Sequence, residues 1–215
     1  MNMKQYFDSL IFDMDGTLWD AVPSYCKIWE HTLDEFGLGD IKVTREELDR
    51  LMGKPVDVLV DTIVTGPVDR PRFLAALDAN EDRLMPVLGG RLYPGVKETI
   101  RELARDHKLF MVSNCSPKGA VNFMTYSGLT DCFTDSLTYG QTHVGKDVNI
   151  ATLVSRYGLT SPLYVGDTQG DADASHRAGV PIAWAAYGFG HVSDPDYIIN
   201  EFSNLIKLVK NGECR

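Results

Sequence analysis

Near its amino end the chain reads Leu10-Ile11-Phe12-Asp13-Met14-Asp15-Gly16-Thr17-Leu18. The apolar run is typical of a buried strand, and the Asp and Gly residues after it are typical of a turn. Side chains two positions apart on a strand share a face, so Asp13 and Asp15 are expected to converge if the strand stays straight. Two carboxylates at close range repel each other unless a cation lies between them or one is protonated. The stretch therefore indicates either a reactive site or an ordinary turn rich in Asp and Gly.

The composition is that of an ordinary soluble globular protein. The chain has 215 residues, of which 44% are hydrophobic and 24% charged, enough for one core or for a core with a smaller insertion. The formal net charge is −9, and no run of Lys or Arg stands out against it. We therefore expect neither a nucleic-acid partner nor an anionic membrane surface.

The targeting and cysteine patterns favour a cytoplasmic protein. No apolar segment follows a basic start at the amino end, and no stretch approaches the roughly 20 apolar residues of a membrane span. The cysteines are widely spaced and form no Cys-x-x-Cys pair, which indicates neither a zinc site nor a disulfide framework. They are Cys26, Cys115, Cys132 and Cys214. We expect them to be reduced thiols.

Residues 19–88 show the apolar spacing of helices. Apolar side chains recur at intervals of three and four over residues 22–36, which predicts one amphipathic helix. Three further helices are expected to begin near Thr44 (through a capping box with Glu47), Pro55 and Asp69. We therefore predict an all-helical domain over residues 19–88, without a strand.

From residue 89 onward, strands alternate with helices. Strands are predicted at 10–12, 109–112, 133–137, 163–165 and 182–186, with an edge strand at 196–199. Helices are predicted at 96–104, 118–127, 147–157, 171–178 and 202–209. Short apolar strands that alternate with helices are typical of a parallel sheet covered on both faces. The prediction is an α/β fold, with a Rossmann-like parallel-sheet core of residues 1–18 and 89–215 and the helical domain inserted into it.

Polar residues follow three of the predicted strands. They are Asp13 and Asp15 after the first, Ser113 and Asn114 after the second, and Asp167 and Asp171 after the fourth. Ligands of open parallel sheets bind beyond the carboxyl ends of the strands, so these three groups are expected to meet in one crevice. Any one of them alone would more often be a helix cap.

Four carboxylates in one crevice need a counter-charge. No His or Cys cluster lies near them in sequence, and a donor set of oxygen atoms favours a hard cation such as Mg²⁺. Lys146 is a candidate second cation, the alternative being an exposed lysine near a helix start. A metal ion, a lysine and polar donors around one acidic nucleophile would suit a phosphoryl group.

These residues resemble the motifs of the haloacid dehalogenase superfamily of phosphohydrolases, and the resemblance spans nearly the whole chain. The first motif, Asp-x-Asp-Gly-Thr, matches Asp13 to Thr17, and the second, a Ser or Thr at a strand end, matches Ser113. The third, a lysine before a helix, is placed at Lys146. The fourth motif matches Gly166-Asp167-Thr168-Gln169-Gly170-Asp171.

The resemblance implies phosphoryl transfer through an aspartyl-phosphate. Asp13 would attack phosphorus, and Asp15 would protonate the leaving oxygen and then activate water. Ser113 and Lys146 would hold phosphoryl oxygens, and Thr17 and Asn114 are further candidates for substrate binding. The implied Mg²⁺ ligands are the Asp13 side chain, the Asp15 backbone carbonyl and Asp167, with Asp171 a ligand or a support.

The helical insertion resembles the cap of the phosphoglycolate phosphatase and β-phosphoglucomutase branch. Such a cap closes over the site and carries much of the substrate choice. Lys54, in Met52-Gly53-Lys54-Pro55, is our candidate for contacting an oxygen or carboxylate of the substrate, the alternative being a solvated lysine in a surface turn.

The chain departs from the pattern of many relatives at two points. Many relatives carry Asp-Ser soon after the first motif, where this chain has Trp19-Asp20-Ala21-Val22. Many relatives also have Lys-Pro at the third motif, where this chain has Lys146-Asp147. Lys118 is a nearby cation that could be confused with Lys146. With these two departures, the resemblance does not identify the substrate.

The leading interpretation is a magnesium-dependent phosphatase for a small phosphorylated metabolite, acting as a monomer or small homo-oligomer. A phosphomutase of the same fold would use the same groups. A signalling receiver domain also phosphorylates an Asp, but such a domain of roughly 120 residues has no use for the helical insertion. A catalytically silent binding protein and a haloacid dehalogenase proper are the remaining alternatives, and the acid Asp15 argues against the latter.

Overall fold

A computed structural model describes residues 7–211 of the chain, which combine a parallel sheet with a block of helices. The strands are β1 (Ser9–Phe12), β2 (Trp19–Asp20), β3 (Arg91–Leu92), β4 (Lys108–Ser113), β5 (Asp135–Thr138), β6 (Pro162–Gly166), β7 (Ile182–Ala185) and β8 (Tyr197–Ile199). The helices are α1 (Val22–Glu35), α2 (Arg45–Leu51), α3 (Val56–Ile63), α4 (Arg70–Leu88), α5 (Val96–Leu103), α6 (Gly119–Ser127), α7 (Tyr139–Thr142), α8 (Lys146–Tyr157), α9 (Gln169–Arg177) and α10 (Asn204–Asn211). The predicted α/β class is confirmed.

The first strand lies inside the sheet. Among the described residues the large sheet has the order β5-β4-β1-β6-β7-β8, and all its pairings are parallel. Leu10 and Phe12 belong to the hydrophobic cluster on one face, whereas Ile11 belongs to the cluster on the other. Both faces are therefore buried, which explains why the strand sequence is continuously apolar.

The sheet brings the predicted site residues to one edge. Because β1, β4 and β6 are neighbours and run parallel, their carboxyl ends lie together. Asp13 follows β1, Ser113 ends β4, and Asp167 follows β6. The order of strands thus accounts for a single crevice built from distant segments.

The insertion contains the predicted helices α1 to α4. Thr44 and Glu47 form the predicted capping box at the start of α2, and the Asp69 side chain accepts a hydrogen bond from the Arg72 amide at the start of α4. These local signals were sufficient because each cap satisfies backbone amides of the first turn, which have no partner within the helix.

The prediction that residues 19–88 contain no strand was wrong. Trp19 and Asp20 form β2, which pairs antiparallel with β3 at the far end of the insertion. Two residues are too few to show alternation, and the partner strand is distant in sequence, so no local pattern could reveal the pairing. The ribbon ties the two ends of the insertion together. The single helical turn α7 was also missed.

Cys26, Cys115 and Cys132 are free thiols, as expected, and Cys214 lies outside the described residues. Among the helices of residues 7–211, none has the length and hydropathy needed to cross a lipid bilayer.

Candidate active site

A cavity lies between the carboxyl edge of the sheet and the helices of the insertion. The core contributes mainly polar side chains to its wall, and these are Asp13, Asp15, Ser113, Asn114, Cys115 and Ser116. The insertion contributes mainly apolar ones, including Ile28, Trp29, Leu48, Met52, Val56, Leu59 and Leu77, together with Tyr25, Lys54 and Glu81. The cavity therefore has a polar floor and a largely apolar roof.

Asp13 is 2% exposed and lies directly after β1. Its backbone amide donates a hydrogen bond of 2.8 Å to the Val165 carbonyl, which extends the pairing with β6 by one residue and fixes the start of the turn. Lys146 Nζ lies 2.9 Å from its Oδ1 atom. Burial raises the pKa of Asp13 to about 6, although the charge of Lys146 opposes this shift.

Lys146 begins α8 and is buried between two carboxylates. Its Nζ atom lies 2.6 Å from Asp171 Oδ1 as well as 2.9 Å from Asp13 Oδ1. Burial by itself lowers the pKa of a lysine, but the charges of Asp13 and Asp171 raise the pKa of Lys146 above its ordinary value. The site therefore contains a permanent positive charge. Lys118, by contrast, is exposed and pairs with Asp82.

Three carboxylates converge beside this lysine. Asp13, Asp167 and Asp171 each offer an oxygen atom, and these atoms lie within 4.8 Å of one another. Burial raises the pKa of Asp167 well above its usual range, and the charges of Asp171 and Asp13 add to the shift. One lysine cannot neutralise three carboxylates, so the group suits an additional cation.

The hydrogen bonds distinguish the carboxylates that could hold a metal ion. Asp171 is engaged on both oxygens, by Lys146 and the Tyr164 hydroxyl on Oδ1 and by Thr168 on Oδ2. Asp13 Oδ1 has Lys146 Nζ at 2.9 Å, and no other donor to this atom is found among residues 7–211. Asp167 also accepts on both oxygens, from the Thr17 hydroxyl and the Phe189 amide, but these donors are neutral. Asp171 makes the shorter contact with Lys146, 2.6 Å against 2.9 Å for Asp13, and therefore suits a support of Lys146. Asp13 and Asp167 are the candidate side-chain ligands.

The turn after Asp15 closes tightly over Asp167. Gly16 has a φ of 84°, and a Cβ atom at this position would overlap the Asp167 carboxylate. Only glycine therefore allows the backbone to approach so closely. The tight turn brings the backbone of Asp15 and Gly16 close to the carboxylate of Asp167. A backbone carbonyl at Asp15 would be a suitable further oxygen ligand for a metal ion.

Asp15 lines the cavity from the turn after β1. Because β1 ends at Phe12, the straight strand on which Asp13 and Asp15 would share a face does not form. The Trp19 indole donates a hydrogen bond of 2.9 Å to Oδ1, and the Tyr25 hydroxyl donates one of 3.2 Å to Oδ2. Burial raises the pKa of Asp15 well above its usual range, and the charges of Asp13 and Glu81 add to the shift. The environment thus favours a protonated Asp15.

Trp19 and Tyr25 were not predicted as site residues. An aromatic side chain at helical spacing is normally part of a core, and nothing in the spacing of Tyr25 indicates a hydrogen bond to Asp15. The only available signal was the position of Trp19 directly after the first motif.

The predicted substrate-binding residues are found in different places. Ser113 and Asn114 line the cavity, and the Asn114 amide donates a hydrogen bond of 2.7 Å to the Gly53 carbonyl of the insertion. Thr17 is buried, and its hydroxyl donates to Asp167 Oδ1 at 3.2 Å. The position of Thr17 suggests support of Asp167 rather than contact with substrate.

Lys54 lies at the cavity rim on the loop that Asn114 contacts. Its side chain is exposed, and it forms no ion pair with any described residue. The neighbouring Gly53 lies against Thr168 of the core. This loop therefore covers the carboxylate end of the cavity, and its role in substrate recognition stays a prediction.

Comparison with known proteins agrees with this arrangement. The chain is 29% identical to the phosphoglycolate phosphatase of Aliivibrio fischeri, over 93% of this chain and 95% of that protein. It is 27% identical to the phosphoglycolate phosphatase of Aquifex aeolicus, over 94% and 96% of the two chains.

Solved structures show the same fold. The crystal structure of a predicted phosphoglycolate phosphatase from Haemophilus somnus has a TM-score of 0.83 at 25% identity and covers 95% of this chain and 99% of its own. CbbY from Rhodobacter sphaeroides, solved in complex with phosphate, has a TM-score of 0.79 at 17% identity, over 93% and 96%. The profile of the family described as haloacid dehalogenase-like hydrolase matches residues 10–185. The chain therefore belongs to the haloacid dehalogenase-like hydrolases.

Proposed function

We propose that this hydrolase is a magnesium-dependent phosphatase that hydrolyses small phosphomonoesters through an aspartyl-phosphate. One observation carries the proposal: buried Asp13 lies 2.9 Å from Lys146 in the wall of a cavity that also contains the hydrogen-bonded acid Asp15. The names of the phosphatase relatives support the same chemistry.

In the first step an Asp13 carboxylate oxygen attacks phosphorus and forms an acyl phosphate. The bond between phosphorus and the ester oxygen breaks, and Asp15 donates its proton to that oxygen, so the alcohol leaves as a neutral molecule. The Trp19 and Tyr25 hydrogen bonds fix the direction of the Asp15 carboxyl group during this transfer.

In the second step Asp15, now a carboxylate, accepts a proton from water. The water oxygen attacks phosphorus, the bond between phosphorus and Asp13 breaks, and inorganic phosphate is released. Asp13 regains its carboxylate and Asp15 its proton, so the cycle is balanced.

Positive and polar groups stabilise the charge on the phosphoryl oxygens in both steps. Ser113 and Lys146 would bind these oxygens. A magnesium ion would be held by the side chains of Asp13 and Asp167 and the backbone carbonyl of Asp15, and when bound it supplies further positive charge to the phosphoryl group. Asp171 would keep Lys146 in position.

We further propose that residues 19–88 act as a cap domain that closes over the substrate. Hydrogen bonds from Asn114 to Gly53 and from Ser116 to Glu81 join the core to the insertion around the cavity. Lys54 would contact an oxygen atom of the substrate from the rim. Closure would exclude bulk water and strengthen the electrostatic interactions inside.

Phosphate release from a broad panel of phosphomonoesters tests the proposal. We expect release with Mg²⁺, loss of release on addition of a chelator, and recovery when Mg²⁺ is added back. Undiminished release in the chelator would contradict the metal requirement. Isomerisation of a hexose phosphate without release of phosphate would instead identify a phosphomutase.

Tyr25→Phe is expected to lower kcat/KM by about fivefold, because it removes one hydrogen bond, worth about 1 kcal/mol, and keeps the ring. That bond lowers the pKa of the Asp15 carboxyl, so its loss should move the pKa of the general acid upward in the profile of kcat/KM against pH. Tyr126→Phe, at an exposed tyrosine, is the matched control. Identical pH profiles for both variants and the parent would show that Tyr25 does not act on the general acid.

A further inference from the structure

A third carboxylate in the cavity wall, besides those of Asp13 and Asp15, has no role in the proposed phosphoryl transfer. Glu81 projects from α4 and is 7% exposed. Its Oε1 atom accepts a hydrogen bond of 2.7 Å from the Ser116 hydroxyl. Within residues 7–211, no Lys, Arg or His side chain forms an ion pair with it.

A buried carboxylate without a positive partner is energetically costly. The surroundings of Glu81 increase this cost, because Asp78 and Asp82 are negative neighbours. Burial raises the pKa of Glu81 to about 7, and the Ser116 hydrogen bond compensates only in part. A positively charged ligand would supply the missing partner.

The cavity wall beside Glu81 is suited to such a ligand. Tyr25 and Trp29 line the same cavity, and aromatic faces attract organic cations. Leu77, one helical turn before Glu81, adds an aliphatic surface. A small ammonium group would therefore find one carboxylate and two aromatic side chains in this part of the wall.

The orientation that the mechanism requires of the substrate also directs its leaving alcohol toward Glu81. Asp15 protonates the ester oxygen of the leaving alcohol in the proposed mechanism. Glu81 and Asp15 line the same cavity. The carbon chain beyond the ester oxygen can therefore extend toward Glu81, whereas Lys54 lies on the loop over the carboxylate end.

We propose that Glu81 is a specificity-determining residue that binds an ammonium group of the substrate, so that the preferred substrates are phosphomonoesters of small amino alcohols. This inference rests on the proposed phosphatase function. A carboxylated alcohol such as glycolate would place a negative charge against Glu81. The exposed Lys54 would compensate weakly, because solvent screens its charge.

Three phosphomonoesters of similar size test the proposal on the wild-type enzyme with Mg²⁺. They are 2-aminoethyl phosphate, propyl phosphate and phosphoglycolate, which differ in carrying a positive, a neutral and a negative end. We expect kcat/KM for the amino ester to exceed that for the propyl ester by about ten- to hundredfold, with phosphoglycolate lowest. A preference for phosphoglycolate, or equal values for the amino and propyl esters, would overturn the proposal.

Glu81→Gln keeps the shape of the side chain and an acceptor for Ser116 but removes the charge. The ratio of amino to propyl ester should fall to near one in this variant. Glu30→Gln makes the same change at an exposed glutamate of α1 outside the cavity wall and should keep the wild-type ratio. An unchanged ratio in Glu81→Gln would contradict the role of Glu81.

The wild-type comparison needs no variant, so it decides the question even if Glu81→Gln folds poorly. Turnover of other phosphomonoesters but of none of these three would overturn this inference alone. Failure to hydrolyse any phosphomonoester would overturn the phosphatase function as well.

Discussion

Asp13→Asn is expected to abolish turnover, with kcat at least about a hundredfold below that of the parent enzyme. The amide is a far poorer nucleophile than the carboxylate, and the change also removes a proposed metal ligand. Lys146 would keep Asp171 as its partner at 2.6 Å, so the fold should persist. Steady-state kinetics on the best substrate, together with circular dichroism and thermal unfolding, measure the two effects separately.

Asp173→Asn is the matched control for this change. Asp173 lies on α9 near Asp171, but it is exposed and contacts Gln169 instead of the cavity. Parent-like activity in Asp173→Asn and no activity in Asp13→Asn would show that the loss of activity is specific to the position of Asp13. Turnover in Asp13→Asn above about a hundredth of the parent value would rule out Asp13 as the nucleophile.

Asp15→Asn is expected to lower kcat by about 10²–10⁴-fold for esters of poor leaving groups, the range typical of general acid–base catalysis. An activated aryl phosphate needs little protonation in the first step, so its phosphoryl group should still transfer to Asp13. Hydrolysis of the acyl phosphate would then be slow, because no general base activates water. The phospho-enzyme should therefore accumulate with the aryl ester.

Rapid-quench measurements with an alkyl and an aryl phosphate separate the two steps in this variant. Equal losses of activity for both esters, with no phospho-enzyme, would mean that Asp15 positions other groups and transfers no proton. The Asn side chain can still accept one hydrogen bond from Trp19 or Tyr25, so the turn should keep its conformation.

Most of the fold could be predicted because its signals are local. Strands such as Leu10–Phe12 are short apolar runs, and a capping box such as Thr44 with Glu47 marks a helix start within four residues. The ribbon of β2 and β3 could not be predicted, since it depends on a pairing across the whole insertion. Parallel pairings inside the sheet were inferred only through the alternation of elements.

The residues of the candidate site that follow strands could also be predicted. Strand topology predicts that Asp13, Ser113 and Asp167 meet, and the structure has all three at one edge of the sheet. Lys146, which lacks the usual following proline, lies between Asp13 and Asp171.

Other contacts depend on helix orientation, which a sequence pattern does not reveal. Trp19, Tyr25 and Glu81 have the sequence context of ordinary core or helix-surface residues, yet they reach the cavity or Asp15. The Thr17 hydroxyl donates to Asp167 because Thr17 lies in the turn after β1, and the conformation of that turn sets the direction of the side chain. Side chains at strand ends were therefore predictable, whereas Lys54 was the one candidate that the sequence offered from the insertion.

The proposed mechanism requires that Asp13 carries the phosphoryl group during turnover. Its most direct test is an acid quench of the wild-type enzyme during hydrolysis of its best substrate with Mg²⁺, followed by mass spectrometry of the peptide that contains Asp13. We expect one added phosphoryl group on Asp13, which hydroxylamine removes as expected of an acyl phosphate. A phosphoryl group on another residue would contradict it, as would its absence from Asp13 at every quench time, including with the Asp15→Asn variant and an aryl phosphate.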